Sequence, residues 1–389
     1  MKRFIVTLMV LLAAAFFAAC GSTPTQTSAD LTGVTSYYVR ANGNDSNAGT
    51  SEAAPFRTLE RAVSAALNTP VKKITVIGTL DENTTIKNTK PPVLSTERDF
   101  VVREFDIGGQ RTVVVDTTQP APYRIKGSYD DHDPDEILIT GKPDATGNEK
   151  AVLTNSRNAD NILRIENATV RLENIEISGF VSTNSRSRCI RVWTGVLTLG
   201  QGAKVTNNRV VGVHIINGGI VIMRNNAEIS NNQSVGGNTG VYIESGSVMV
   251  MLDNSVIKEN KALANNNGLG SGGGAAITDG TLIMRGNSTI ANNSSANFGG
   301  GVMLYNGNAL VEMFDNAAIT GNTASIGAGV ALVGTLDMND AAQITNNSAV
   351  RAGGGVYGEG DTASISKSRT AVLSNNRAPQ YPDTNFTFN

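Results

Sequence analysis

The densest run of potential chemistry is YDDHDPDE, residues 129–136, which carries Asp130, Asp131, Asp133 and Asp135. Oxygen sets of this kind suit a hard cation such as calcium, although a solvated acidic loop is the reading we favour for them. Asn44 and Asp45 invite the same two readings, calcium ligands or a tight turn. A further pair, Glu312 and Asp337, lies far apart in sequence but at equivalent points of a repeat described below. Cleaving a polysaccharide needs paired carboxylates, or calcium with a basic residue, on one face. The nearest base to that pair is Arg285. Histidine is scarce, with only His132 and His214, which leaves little for histidine-based metal or triad chemistry. A net charge of −2 offers no basic footprint for nucleic acid.

The elements that would position these residues are repetitive. ITNNSAVRAGGGVY at residues 344–357 returns in close variants at 229–242 and 319–332. Taking the opening aliphatic residue as a ruler gives Val205, Ile229, Ile257, Ile290, Ile319, Ile344 and Leu373. They recur every 24 to 33 residues or so, a period typical of solenoids. Ile177 is a plausible earlier anchor. Three residues after each anchor stands an asparagine: Asn208, Asn232, Asn260, Asn293, Asn322, Asn347 and Asn376. Two before it the residue is always small. Six before it stand Leu199, Met223, Met251, Met284, Met313 and Met338, until Lys367 breaks the column.

These offsets from the anchor are mostly even, the period of strands, in which alternate side chains share a face. Each repeat therefore reads as three short strands separated by Gly or Asn turns. Stacked in parallel, they form the coils of a β-helix. The asparagines are expected at sharp bends, where left-handed backbone is tolerated, with their amides bonded from coil to coil as a ladder. The glycine-rich end of the phrase gives a wider corner. One coil cannot bury enough to fold alone, so neighbouring coils must supply the rest.

These columns resemble the right-handed, single-stranded parallel β-helix proteins of the pectin-lyase-like superfamily. The right hand is implied by that resemblance and by the general bias of parallel crossovers. Gly273–Ala276 and the recurring apolar-x-x-Asn are similar to repeats of bacterial polymorphic outer-membrane proteins, with Ile, Val or Leu where that pattern has Phe. YYVRANGNDSNAGTSEAAPFRTLERAVSAAL, residues 37–67, resembles the opening of many secreted β-helix proteins. Its apolar face of Phe56, Leu59, Val63, Ala66 and Leu67, with Pro55 near the start, predicts a helix capping the open end of the stack. Arg124–Lys126 matches a short hydrolase motif of the polygalacturonase type. The Asp pairs and Gly-His-Gly of that family are missing, so we read the match as chance.

The first residues read as an export signal: Lys2 and Arg3, an apolar run from Phe4 to Phe17, then small residues before Cys20. FFAACGS resembles the lipobox of bacterial lipoproteins, with Phe17 in place of the usual Leu. The resemblance implies that Cys20 is lipidated. An ordinary signal cleaved near Ala19 is the other reading. With Cys20 taken, Cys189 has no intramolecular partner, so packing rather than disulfides must hold the fold. The organisation that follows is 1–19 signal peptide, 20–36 flexible tether, 37–150 N-terminal cap and irregular first coils, and 151–389 regular coils.

Outward positions in the methionine strand carry Ile222, Val250, Leu252, Ile283 and Phe314, a water-facing apolar stripe. Such stripes imply a partner or a covering segment, and the C-terminal Tyr381–Asn389 is one candidate cover. In another strand Arg191, His214, Tyr242 and Tyr357 share an outward column, a sparse set of sugar-stacking aromatics. The reading overall is an exported, lipid-anchored, non-enzymatic binding, adhesion or display protein at the outer membrane or cell surface. The expected partners are the membrane through the lipid and a polysaccharide or a host or cell-surface protein. No cofactor is implied beyond the calcium already weighed. The alternatives are a polysaccharide lyase or hydrolase and a purely structural envelope protein.

Overall fold

The columns of the sequence become columns in space. A computed structural model describes residues 31–88, 101–104, 114–116, 135–143, 150–157, 159–184, 186–268 and 270–387. Cys20, the signal segment, most of the tether, Asp130, Asp131, His132, Asp133 and Arg124–Lys126 lie outside these. Residues 35–389 form one unit. Residues 31–34 belong to a separate one, in which a turn bonds the Val34 N–H to the Leu31 carbonyl.

The architecture is a right-handed parallel β-helix, with a single helix among the described residues. Strands from successive coils stack into sheets of 11, 10, 9 and 5 strands, and every pairing within these four is parallel. Among the described residues, only Val101–Glu104 and Val114–Asp116 pair antiparallel. The ten-strand sheet holds the anchors in register, Val205 on Ile229, Ile257, Ile290, Ile319, Ile344 and Leu373. It runs back through Ile177 to Leu153 and Leu80. The eleven-strand sheet aligns Leu199, Met223, Met251, Met284, Met313, Met338 and Lys367. Each fully buried aliphatic side chain contributes roughly 1.5–3 kcal/mol, so the columns are the core.

Three expectations about the coil need correction. From Gln233 onward a coil has four strands, not three. Gln233–Val235, Lys261–Leu263, Ser294–Ser295, Thr323–Ile326 and Ser348–Ala352 follow the ladder asparagines and make the five-strand sheet. Their polar, small composition hid them among turn residues. The left-handed backbone also falls elsewhere. It belongs to the residue before each ladder asparagine: Asn207, Asn231, Glu259, Asn292, Gly321, Asn346 and Asn375. The bend at that position turns the next side chain inward, and the ladder asparagines are buried.

There each amide is saturated. In Asn293, Nδ2 donates to the Ile257 carbonyl at 3.0 Å and to Oδ1 of Asn322 at 3.1 Å. Its Oδ1 accepts the backbone N–H and Nδ2 of Asn260, both at 3.0 Å. The pattern repeats from Asn208 to Asn376. One coil earlier Phe180 replaces the asparagine, and its N–H supplies Asn208 Oδ1 at 3.0 Å. Buried polar groups cost little only when bonded in this way.

The glycine corner follows from the ladder. A Cβ on Gly301 would stand 2.5 Å from the Gly329 carbonyl oxygen and 3.0 Å from Nδ2 of Asn322. Gly212, Gly240, Gly274, Gly329 and Gly355 face the same pair of obstacles. The corner is therefore tight rather than wide.

The helix spans Leu59–Leu67 and buries Leu59, Ala62, Val63 and Ala66 against the first strands. Phe56, expected on its face, lies just before it and bridges to Val39. Asp45 holds the helix start. Its Oδ1 accepts the N–H of Arg57 and Thr58, both at 2.9 Å, and its Oδ2 accepts the Thr58 hydroxyl at 3.0 Å. Thr58 caps the first turn through Arg61 N–H, and Glu82 accepts the Leu59 N–H at 2.8 Å. Carboxylates at a helix N-terminus are favourable.

Candidate functional site

The outward face of the nine-strand sheet carries the most diverse chemistry. Alternation turns Ile190, Val192, Val213, Ile215, Val241 and Ile243 inward, so the residues between them face out. Register then aligns Arg164, Arg191, His214, Tyr242, Ala276, Met303, Ala331 and Tyr357 in one column. Arg191, His214, Tyr242 and Tyr357 occupy the shared column expected from sequence. Tyr357 is separated from the others by three small or flexible residues.

His214 and Tyr242 lie one coil apart with rings stacked, 5.1 Å between centroids and 8° between planes. Nε2 of His214 is 3.2 Å from Oε1 of Glu244, close but out of line for a full hydrogen bond. His214 is only 4% exposed. Burial holds its pKa below the ordinary imidazole value, assisted by Arg188 and Arg191 and opposed by Glu244. The His214 contact holds the Glu244 carboxyl below its usual range against burial. The pair is thus neutral imidazole beside carboxylate. Burial, with Glu244 alongside, pushes the Tyr242 hydroxyl up to about 12, so it remains a donor.

The cluster extends on both sides. Arg164 lies over the Trp193 ring, 5.3 Å from its centroid, and pairs with Glu166. Lys87 reaches the same carboxylate at 3.0 Å. Arg191 donates to the Arg186 carbonyl at 3.3 Å and Arg188 to the Ser187 carbonyl at 2.8 Å. Burial lowers the pKa of both guanidiniums, which remain charged. Tyr305, partly exposed, donates to Asn238 Oδ1 at 2.9 Å from two coils away. Further along, Met303, Ala331, Tyr357 and Glu359 line a depression of about 120 Å³. Stacked rings with forked donors beside them suit a flat, extended ligand lying across the coils.

The sequence reading missed Arg164, Arg188, Trp193, Glu244 and Tyr305. Arg164 was accessible by continuing the column one coil back. Glu244 was accessible as the same-face neighbour two residues beyond Tyr242. Tyr305 depends on a loop contact that no periodicity announces.

Other proposed sites take structural roles. Asn44 Oδ1 accepts the Ser46 N–H at 2.9 Å within a local turn, whereas Asp45 secures the start of the helix. Asp135 pairs with Lys72 at 3.7 Å. Among the described residues, no group of three His, Cys, Asp or Glu is placed to hold a metal. Glu312 and Asp337 are in register on adjacent coils. Asp337 accepts the Ser366 hydroxyl at 2.6 Å, and Glu312 is buried. Arg285 lies 4.0 Å from the Phe314 ring centroid.

The residues of the expected water-facing apolar stripe are instead largely buried. Ile222, Val250, Leu252 and Ile283 form one buried cluster with Ile220, and Val196, Val248 and Phe314 pack against it. Val250 is 0% and Ile283 1% exposed although both point outward. Every described member of the cluster comes from this sheet or the turn after it. The tail considered as its cover is elsewhere: the Pro382 and Asp383 carbonyls accept from Gly355 and Val356 at 2.9 and 2.7 Å. Residues 381–387 therefore close the last coil at another sheet. Cys189, buried beneath the nine-strand sheet, is a free thiol whose pKa burial raises far above its ordinary value.

Parallel β-helices form a class defined by stacked coils and broad outward sheet faces, and the chain has that architecture. No protein-family model, curated protein or solved structure matches it.

Proposed function

We propose that the chain is an exported, lipid-anchored β-helix of the bacterial cell surface that works as a non-enzymatic binding or adhesion module. Its ligand lies across the outward face of the nine-strand sheet. The observation that carries this reading is the in-register column of Arg191, His214 and Tyr242, flanked by Arg164 on Trp193 and by Tyr305. Rigid aromatic anchors beside fixed donors are the usual makings of a recognition surface. The lipobox-like FFAACGS supports attachment through Cys20, with the polar stretch after it as a spacer and the outer membrane as the site. The repeat columns support kinship with pectin-lyase-like folds and with the passengers of polymorphic outer-membrane proteins.

The test is to screen the purified protein against polysaccharides and extracellular-matrix proteins, scoring binding and product release together, with and without calcium. Saturable binding without turnover, reduced tenfold or more by Tyr242→Ala and Trp193→Ala, is the expected result. Unsaturated or reducing sugar products would replace it with the lyase or hydrolase reading. Retained binding in both variants would move the ligand off this face. Metabolic labelling with a fatty acid, abolished by Cys20→Ser, tests the anchor separately.

A further inference from the structure

Two of the inward columns end in a charge. In the eleven-strand sheet, Met223, Met251, Met284, Met313 and Met338 are followed in register by Lys367, whose Nζ turns back to the Ser368 carbonyl at 3.1 Å. The glycine column ends likewise. Gly329 N–H donates to the Gly354 carbonyl and Val330 N–H to that of Gly355. One coil later Gly355 donates to Pro382 and Val356 to Asp383. Asp383 therefore stands where another column glycine would stand.

That substitution has a chemical consequence. A Cβ on any glycine of this column points at Nδ2 of the ladder asparagine in the following coil, at 2.8 Å for Gly355 and Asn376. Asp383 carries a side chain there. Its Oδ1 accepts the Asn376 N–H at 3.2 Å and Nδ2 at 3.0 Å, the two bonds that the next asparagine would have accepted. The carboxylate fills the slot and satisfies Asn376. It has no N–H to hand on, so the ladder stops. Nearby, the Asn385 amide accepts from Gly358 N–H at 2.9 Å and donates to the Gly358 carbonyl at 2.8 Å, in place of a strand on the nine-strand edge.

We propose that Asp383 and Lys367 form a stop built into the last coil, which keeps a second copy of the chain from adding its sheets end to end. An open parallel stack presents unpaired strand edges that template association. The helix over Leu59–Leu67 packs on the first strands at the opposite end. At this end, further pairing would strip water from an ammonium and a carboxylate held in line with apolar and amide columns, which is unfavourable.

The experiment is sedimentation velocity over a wide concentration range on the wild type and on Lys367→Met/Asp383→Asn. This variant restores the methionine column and gives the slot a neutral amide that still accepts from Asn376. The wild type should sediment as a monomer at every concentration. The double variant, with unchanged circular dichroism, should shift to dimers and larger species as concentration rises, and adding Ile365→Lys should return it to monomer. A folded double variant that stays monomeric overturns the proposal. So does a wild type that associates through this end, read as a disulfide between Ser366→Cys copies. If the double variant does not fold, Lys367→Met alone must associate where the wild type does not, and its remaining monomeric is equally decisive.

Discussion

Nδ2 of Asn347 donates to Oδ1 of Asn376 at 3.0 Å and, behind it, to the carbonyl of Ile319 at 3.1 Å. One side chain thus ties three successive coils, the asparagine's own and those on either side. The ladder is structural cross-bracing, and its loss should be felt over more than one repeat.

Removing a middle rung shows this. Asn293→Ala strips acceptors from the N–H and Nδ2 of Asn260 and the donor from the Ile257 carbonyl, all buried. At about 1–3 kcal/mol for each unsatisfied group, the loss should reach roughly 3–5 kcal/mol. Chemical denaturation measures it directly. Asn376→Ala, at the end of the ladder, should cost less.

Gly301→Ala should destabilise by roughly 1–3 kcal/mol through overpacking, because its methyl meets the Gly329 carbonyl and Asn322. The φ of Gly301 is not in the left-handed region, so the effect is steric. Combining it with Asn322→Ala should cost less than the sum of the two single losses, a coupling that a double-mutant cycle reads.

Stability should fall as pH drops below about 6.5, the unfolded imidazole value, because folded His214 resists the proton that the unfolded chain accepts. His214→Gln should flatten that slope. Glu82 acts in the opposite sense. Its folded pKa, raised by burial to about 6 from 4.5, makes the folded state bind the extra proton, so its contribution rises as pH falls between those values. Glu82→Gln should remove that gain, and urea midpoints across this range separate the two.

Cys189 should resist alkylation in the native protein and react fully once unfolded, because burial holds it as a thiol. Peptide mass mapping after a timed iodoacetamide pulse reports this. Rapid native labelling would contradict the packing beneath the nine-strand sheet.

Fold and site differed in how far they could be read from residues. The anchor, methionine and asparagine columns were legible because a stacked coil imposes one environment on each position, and composition answers in kind. The five-strand sheet was not, since Ser294–Ser295 and Thr323–Ile326 have the composition of turns and are strands only because neighbouring coils pair with them. The column of Arg191, His214 and Tyr242 could be aligned, whereas its electrostatics could not. The depressed basicity of His214 comes from burial and from Arg188, which strand alternation alone does not bring close. Asp383 was invisible as a ladder member because it lies seven residues past Asn376 and reaches the slot from the glycine side.

Lys73–Ile77 pairs directly with Ile137–Lys142, and Thr84–Lys87 with Leu163–Glu166. The chain between Lys87 and Ile137 thus enters at a corner that one coil later needs only Asn167 and Ala168 between strands. Separating the partners by roughly two to three times the usual interval adds only about 0.6–1 kcal/mol of closure entropy. That corner is accordingly a graft point. Foreign sequence placed there should leave the rungs on either side in registry, because the flanking strands pair directly with the next coil.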